Sequence, residues 1–219
     1  MDIPGRYFRI VRTILKIVMP LKVVQPLSSL KETPCVLLCR HRNMRGPFYS
    51  IVRYGGEHVR TWVYHPFCFV ETYYDQMYNY TLTERLHFPK PLAHLGALLM
   101  SRIVTPLINS LGAIPVYRND GRIRETFRLS LDQLEQGRSI LIFPDVDYTS
   151  NEGVGDVYDG FFMLERMYHK KTGRHLPFVP VHLDTKAKSL TFGQPVSFTD
   201  APFATEKERV KEDILRQWR

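Results

Sequence analysis

The feature that most constrains the fold is the alternation of short apolar segments with segments of helical periodicity. Helical spacing is clearest in a segment that begins near Asp120 and ends at Gly137, a residue suited to the left-handed conformation after a helix. Strands that alternate with helices predict an α/β domain with a mostly parallel central sheet flanked by helices. The segments of strand length and composition are 35–39, 59–64, 113–117, 139–143, 178–183 and 189–192.

The length of 219 residues suits a single domain, and no internal repeat or low-complexity segment divides the chain. We therefore expect an N-terminal segment, 1–30, followed by one α/β domain, 31–219. Three cysteines are an odd number in a chain without a clean signal peptide, which favours reduced thiols and a cytoplasmic address. Histidine and cysteine spacings do not match a zinc site, so we expect no metal.

The N-terminal segment predicts a basic amphipathic helix. Its cations recur at helical spacing as Arg6, Arg9, Arg12 and Lys16, opposite an apolar side of Phe8, Val11, Ile14, Leu15 and Val18. Such a helix either packs its apolar side on the domain or lies on a membrane. Because the polar side carries only cations, we favour an anionic membrane surface and a peripheral, monotopic location on its cytoplasmic face.

We expect no membrane-spanning segment, because no run reaches about 18 uninterrupted apolar residues. Arg102, Pro106 and Asn109 break the best candidate. The formal net charge of +8 suits anionic partners, namely phosphorylated substrates, acidic lipids or nucleic acid. Since no nucleic-acid-binding motif is present, we do not expect nucleic acid to be the partner.

Chemically versatile residues follow three of the predicted strands. His41 follows the first strand, Arg118 follows 113–117 and Asp145 follows 139–143. In parallel sheets the carboxyl ends of the strands meet at one edge, where binding sites usually lie. We therefore expect these three residues to come together. Cys39 is a poor candidate for a nucleophile, because a thiol within an apolar strand is usually buried and inert.

Four blocks of sequence occur in an order that resembles the glycerolipid acyltransferase family, which includes glycerol-3-phosphate and lysophosphatidate acyltransferases. The resemblance extends over about 34–195. The blocks are 41–47, which begins at the histidine; 112–118, a glycine with an arginine six places later; 143–150, which begins Phe-Pro-Asp; and 179–181, followed by 192–195.

The resemblance implies transfer of an acyl chain from acyl-CoA or acyl carrier protein to a lysophospholipid-like acceptor, lysophosphatidate or glycerol phosphate, without a cofactor. It implies that His41 is the general base, a role that a neutral imidazole can fill. It also implies that Arg118, with Gly112, holds the phosphate of the acceptor. Asp145, preceded by Pro144, takes the place of the family's glutamate and is expected to shape the acceptor pocket.

The chain departs from the family pattern in two blocks. Gly46 replaces the aspartate that orients the histidine, and Val146, Asp147 and Tyr148 replace a glycine, a threonine and an arginine. Loss of an orienting carboxylate costs about 10⁴ in rate in serine-protease triads. Asp145 and Asp147 are candidate substitutes. Two hypotheses follow: an acyltransferase with an altered site, or a pseudoenzyme that binds lipid or a membrane partner.

Overall fold

A computed structural model describes residues 4–18, 22–23, 33–41, 45–56, 58–118, 121–146, 156–184 and 186–219. Within these residues the strands form one sheet of order β1-β7-β6-β2-β5-β3-β4. Only β6 and β7 pair antiparallel, and the other neighbours are parallel. The strands are β1 (Lys22–Val23), β2 (Val36–Cys39), β3 (Val59–Tyr64), β4 (Ile114–Val116), β5 (Ser139–Ile142), β6 (Phe178–Asp184) and β7 (Ser189–Phe192).

The predicted α/β class with a mostly parallel sheet is confirmed. Two of the six predicted strands have the observed bounds, and the other four differ by one residue at one or both ends. The strand β1 was not predicted, because two residues carry no periodicity. Successive residues of β2 and β5 alternate between core clusters on opposite faces of the sheet, with Val36 and Ile140 in one and Leu37 and Leu141 in the other.

The helices flank this sheet. A π-helix (Gln76–Arg85) and two 3-10 helices (His65–Cys68 and Gly160–Phe162) separate some of them. The helix predicted to end at Gly137 is α5, and Gly137 has φ +74°, which confirms its predicted left-handed conformation. The α-helices are α1 (Arg6–Val18), α2 (Arg45–Tyr54), α3 (Val70–Asp75), α4 (Lys90–Leu111), α5 (Ile123–Glu135), α6 (Met163–Thr172) and α7 (Phe203–Trp218).

Helix α4 continues through Arg102 and Pro106, the residues that were expected to interrupt this apolar segment. It ends at Gly112, whose left-handed backbone, φ 72°, lets the N–H donate to the carbonyl of Asn109. Among the described residues, α4 is the one helix that is both long enough and apolar enough to cross a membrane. A count of uninterrupted apolar residues missed this helix, since one arginine and one proline leave its mean composition apolar.

Helix α1 packs on the domain through Phe8, which is buried, and its cations are divided between two environments. The Arg12 guanidinium donates to the carbonyls of Val52 and Arg53, which lie in the last turn of α2 and have no partner within that helix. Arg6 and Arg9 are exposed. Arg12 therefore stabilises the C-terminus of a neighbouring helix.

Candidate functional site

His41 and Asp145 follow β2 and β5, which are adjacent parallel strands. One carboxylate oxygen of Asp145, Oδ2, accepts the backbone N–H of His41 at 2.7 Å. The other, Oδ1, lies 3.3 Å from Nε of Arg40, and both side chains of this ion pair are only 8% exposed. The pair neutralises a buried carboxylate and binds the loop after β5 to the loop after β2.

The imidazole of His41 is half-buried, and its ring centroid lies 5.6 Å from that of Phe143 in an edge-on arrangement. Burial lowers the pKa of His41, the nearby Asp145 carboxylate raises it, and the nearby Arg118 guanidinium lowers it. Burial has the largest effect, so the imidazole is neutral at neutral pH and able to accept a proton. The two charges that act on His41 belong to residues predicted to lie beside it.

Arg118 follows β4 and is exposed at the same edge of the sheet. Its guanidinium carbon lies 4.7 Å from the ring centroid of Tyr158 and 5.8 Å from that of Tyr64. Both distances lie within the range of a cation–π contact, in which the face of the aromatic ring attracts the cation. The two tyrosines thus hold Arg118 at this edge, and its planar guanidinium carries the donors for bidentate binding of an anion.

Tyr158 reaches Arg118 because the segment 156–158 runs back along the residues that follow β5. Val157 forms an antiparallel bridge with Asp145, and the Tyr158 N–H donates to the carbonyl of Pro144 at 2.8 Å. Neither Tyr158 nor Tyr64 was predicted, since neither lies at a position that the motifs mark. An aromatic residue at the end of β3 was the only available signal for Tyr64.

Gly46 lies at the start of α2, where the chain passes very close to the loop after β2. Its N–H donates to the carbonyl of His41 at 2.9 Å. A Cβ at this position would lie 1.7 Å from the carbonyl oxygen of Arg40 and 2.8 Å from its carbonyl carbon. No side chain fits there, so an orienting aspartate cannot be accommodated at position 46 in this backbone.

Of the other predicted residues, two have structural roles and one lies outside the described residues. Gly112 forms the turn from α4 into β4, and Pro144 is buried with its carbonyl bonded to Tyr158. Asp147 lies outside the described residues. The structure therefore brings together His41, Asp145 and Arg118.

A second histidine, His65, lies at this edge immediately after β3. Its ring centroid is 5.0 Å from that of Tyr117, the residue before Arg118. Within the described part of the chain, the buried Nδ1 atom of His65 has no hydrogen-bond partner. His65 was not predicted, because it belongs to none of the four blocks.

Another group of titratable side chains lies on and after α6. Potential ligand atoms of Glu165, His169 and His175 lie within 4.8 Å of one another. Glu165 already accepts the backbone N–H of Leu176 at 2.6 Å and contacts Nδ1 of His175 at 2.6 Å, while the two imidazole rings stack with centroids 4.2 Å apart. These bonds tie the segment after α6 to the helix, and they use both carboxylate oxygens of Glu165.

No protein-family model matches this chain, and a search of curated proteins found no significant match. The site contains a half-buried histidine whose backbone is held by the Asp145 carboxylate, which is itself paired with Arg40, and an exposed arginine nearby.

Proposed function

We propose that this protein transfers an acyl chain from acyl-CoA or acyl carrier protein to a lysophospholipid-like acceptor at a membrane surface. The observation that carries the proposal is the juxtaposition of His41, Asp145 and Arg118 at the carboxyl edge of the sheet. The order of the four blocks, which resembles that of glycerolipid acyltransferases, supports the same reaction. Lysophosphatidate and glycerol phosphate are the acceptors that an anion-binding arginine favours.

In this reaction His41 accepts the proton of the acceptor hydroxyl. The hydroxyl oxygen forms a bond to the acyl carbonyl carbon, the carbon–sulfur bond of the thioester breaks, and the thiol leaves with the proton that His41 returns. A base must be unprotonated to begin this cycle. The lowered pKa of His41 meets that requirement at neutral pH.

Asp145 acts as a positioning residue in this mechanism. It holds the backbone of His41, and through Arg40 its charge is balanced before an anionic acceptor arrives. Two uncompensated acids in the loop after β5 would repel a phosphate. The ion pair with Arg40 balances the charge of Asp145, so Asp145 is compatible with a phosphorylated acceptor.

Arg118 binds the phosphate of the acceptor. Its contacts with Tyr64 and Tyr158 hold it at the edge of the sheet, and the planar guanidinium offers donors that match two phosphate oxygens. The membrane location is supported by the exposed cations Arg6 and Arg9 of α1, which attract anionic headgroups.

A second candidate function is lipid binding without catalysis. It is favoured by the contacts of Asp145. One carboxylate oxygen accepts the backbone N–H of His41 and the other pairs with Arg40, so both oxygens hold the loop in place. Because Gly46 cannot carry an orienting acid, a site of this kind binds substrate more readily than it activates it.

The test is an acyl-transfer assay with acyl-CoA and acyl carrier protein donors and a panel of lysophospholipids. The wild type, His41→Ala and the control His58→Ala, a histidine that is exposed elsewhere, are compared. We expect His41→Ala to lose at least about 100-fold in rate and His58→Ala to retain it. Transfer that survives His41→Ala rejects the mechanism, and saturable lipid binding without any transfer by the wild type supports the pseudoenzyme.

A further inference from the structure

One face of α4 is a stripe of exposed aliphatic residues. Leu92, Leu95, Leu99 and Ile103 recur at steps of three and four and are 53%, 52%, 53% and 54% exposed. The opposite face is buried against α3 and the π-helix, and it consists of the small side chains Ala93, Ala97, Ser101 and Thr105. The apolar stripe is therefore the outer face of a helix whose inner face is already packed.

Helix α1 lies beside α4 and extends this exposed apolar face. The Tyr7 hydroxyl donates to the carbonyl of Ile103 at 3.5 Å, and the Gly5 N–H donates to the carbonyl of Ser110 at 2.7 Å. The exposed isoleucines of α1 follow at helical spacing. We name as the α1–α4 surface Ile10, Ile14, Ile17, Leu95, Leu99 and Ile103, each more than half exposed.

The charges of the two helices identify the partner of this surface. Neither α1 nor α4 contains an aspartate or a glutamate. Exposed cations border the apolar residues, at Arg6 and Arg9 of α1 and at Lys90 and Arg102 of α4. A second copy of the chain would bring like charges together, whereas anionic lipid headgroups complement them.

We infer that the α1–α4 surface is a two-helix contact with an anionic lipid bilayer, in which α4 lies along the interface instead of crossing the membrane. The long apolar composition of α4 alone is compatible with crossing. Crossing would separate Ala93 and Ala97, both 0% exposed, from the elements that bury them. The inference rests on the membrane location proposed above and adds a second helix to it.

The contact also relates the bilayer to the candidate site. Helix α4 packs on the 3-10 helix His65–Cys68, which directly follows Tyr64, a residue in contact with Arg118. Phe69 and Val70, the next residues, are 47% and 37% exposed. The apolar surface thus adjoins the edge of the sheet at which an acceptor lipid would be bound.

The first test is co-sedimentation of the full chain with vesicles of phosphatidylcholine alone or with added phosphatidylglycerol. Leu99→Glu probes α4, Ile14→Glu probes α1, and Met163→Glu is the matched control, an exposed apolar residue on α6. We expect each of the first two to weaken binding to anionic vesicles at least about tenfold, because a leucine or isoleucine that the bilayer would bury is replaced by a charge. Met163→Glu should bind as the wild type does.

Wild-type binding by Leu99→Glu, with loss in Ile14→Glu, would overturn the inference and leave α1 as the anchor. Light scattering of the wild type and both variants tests whether a second copy of the chain covers this surface. A wild-type dimer that Leu99→Glu converts to a monomer, with vesicle binding unchanged, would identify a protein interface instead. Retention of the bound wild type after alkaline carbonate washing would show that α4 spans the bilayer.

Transfer to a monomeric, short-chain acceptor separates this inference from the proposed function. Leu99→Glu should retain wild-type turnover with that acceptor and lose at least about tenfold with acceptor in vesicles, because only the second depends on membrane contact. A wild type that binds vesicles through both helices but transfers no acyl group retains the inference and rejects the enzyme.

Discussion

The Asp145 carboxylate accepts the backbone N–H of His41 at 2.7 Å, although 104 positions separate the two residues in the sequence. The contact joins the ends of β2 and β5, and Arg40 balances its charge. This relationship makes Asp145 the residue that fixes the loop carrying the proposed base.

Replacing Asp145 with alanine should destabilise the fold by about 3–5 kcal/mol, because it leaves Arg40 buried without its partner. Urea unfolding measures the change. The matched control is Asp132→Ala, which removes a pair whose side chains are 64% and 43% exposed and should cost less than about 1 kcal/mol. Equal destabilisation by the two variants would contradict a structural role for the buried pair.

The protonation of His41 should have a midpoint below 6.5, its ordinary pKa, because burial disfavours the imidazolium. Titration of the His41 ring protons by NMR measures it, and the acid limb of any transfer activity should coincide with it. Arg118→Gln should raise the midpoint, since a nearby cation lowers the pKa of His41.

The same shift predicts the effect of pH on stability. The pKa of His41 is lower in the folded protein than in the unfolded chain, so below about pH 6.5 the unfolded state binds more protons. The contribution of His41 is therefore fully present above pH 6.5 and decreases as the pH falls. A midpoint above 6.5 in the wild type would contradict both expectations.

Gly46→Asp should not raise the rate of acyl transfer, because the new Cβ would overlap the carbonyl group of Arg40. We expect Gly46→Ala to destabilise the fold by about 3 kcal/mol for the same reason. The control is Gly160→Ala, where a Cβ meets nothing within 4 Å. Thermal unfolding compares the two, and a stable Gly46→Asp with faster acyl transfer would show that the loop can move aside.

Arg118→Lys should raise the KM for a phosphorylated acceptor about tenfold while the KM for the acyl donor stays unchanged, because an ammonium cannot make the bidentate contact. Arg124→Lys, on the exposed side of α5, is the matched control and should leave both constants unchanged. Unchanged acceptor KM in Arg118→Lys and Arg118→Ala would remove Arg118 from the proposed site.

The sequence by itself determined the class of fold and the edge on which the candidate residues lie. Short aliphatic runs such as Val36–Cys39 can be buried on both faces only in a covered, mostly parallel sheet. Residues that follow such strands share one edge, so His41, Arg118 and Asp145 were predictable neighbours. Gly137 was predictable as well, because few residues adopt its backbone conformation.

Only the tertiary structure decided what these residues do to one another. Three features depend on contacts between loops. They are the contact of Asp145 with the backbone of His41, the lack of space for a side chain at position 46, and the contact of Arg118 with Tyr158, all formed by loops far apart in the chain. Local periodicity contains no information on such distances. The tertiary structure also decided that the outer face of α4 is exposed, because an apolar helix is buried or exposed according to what packs beside it.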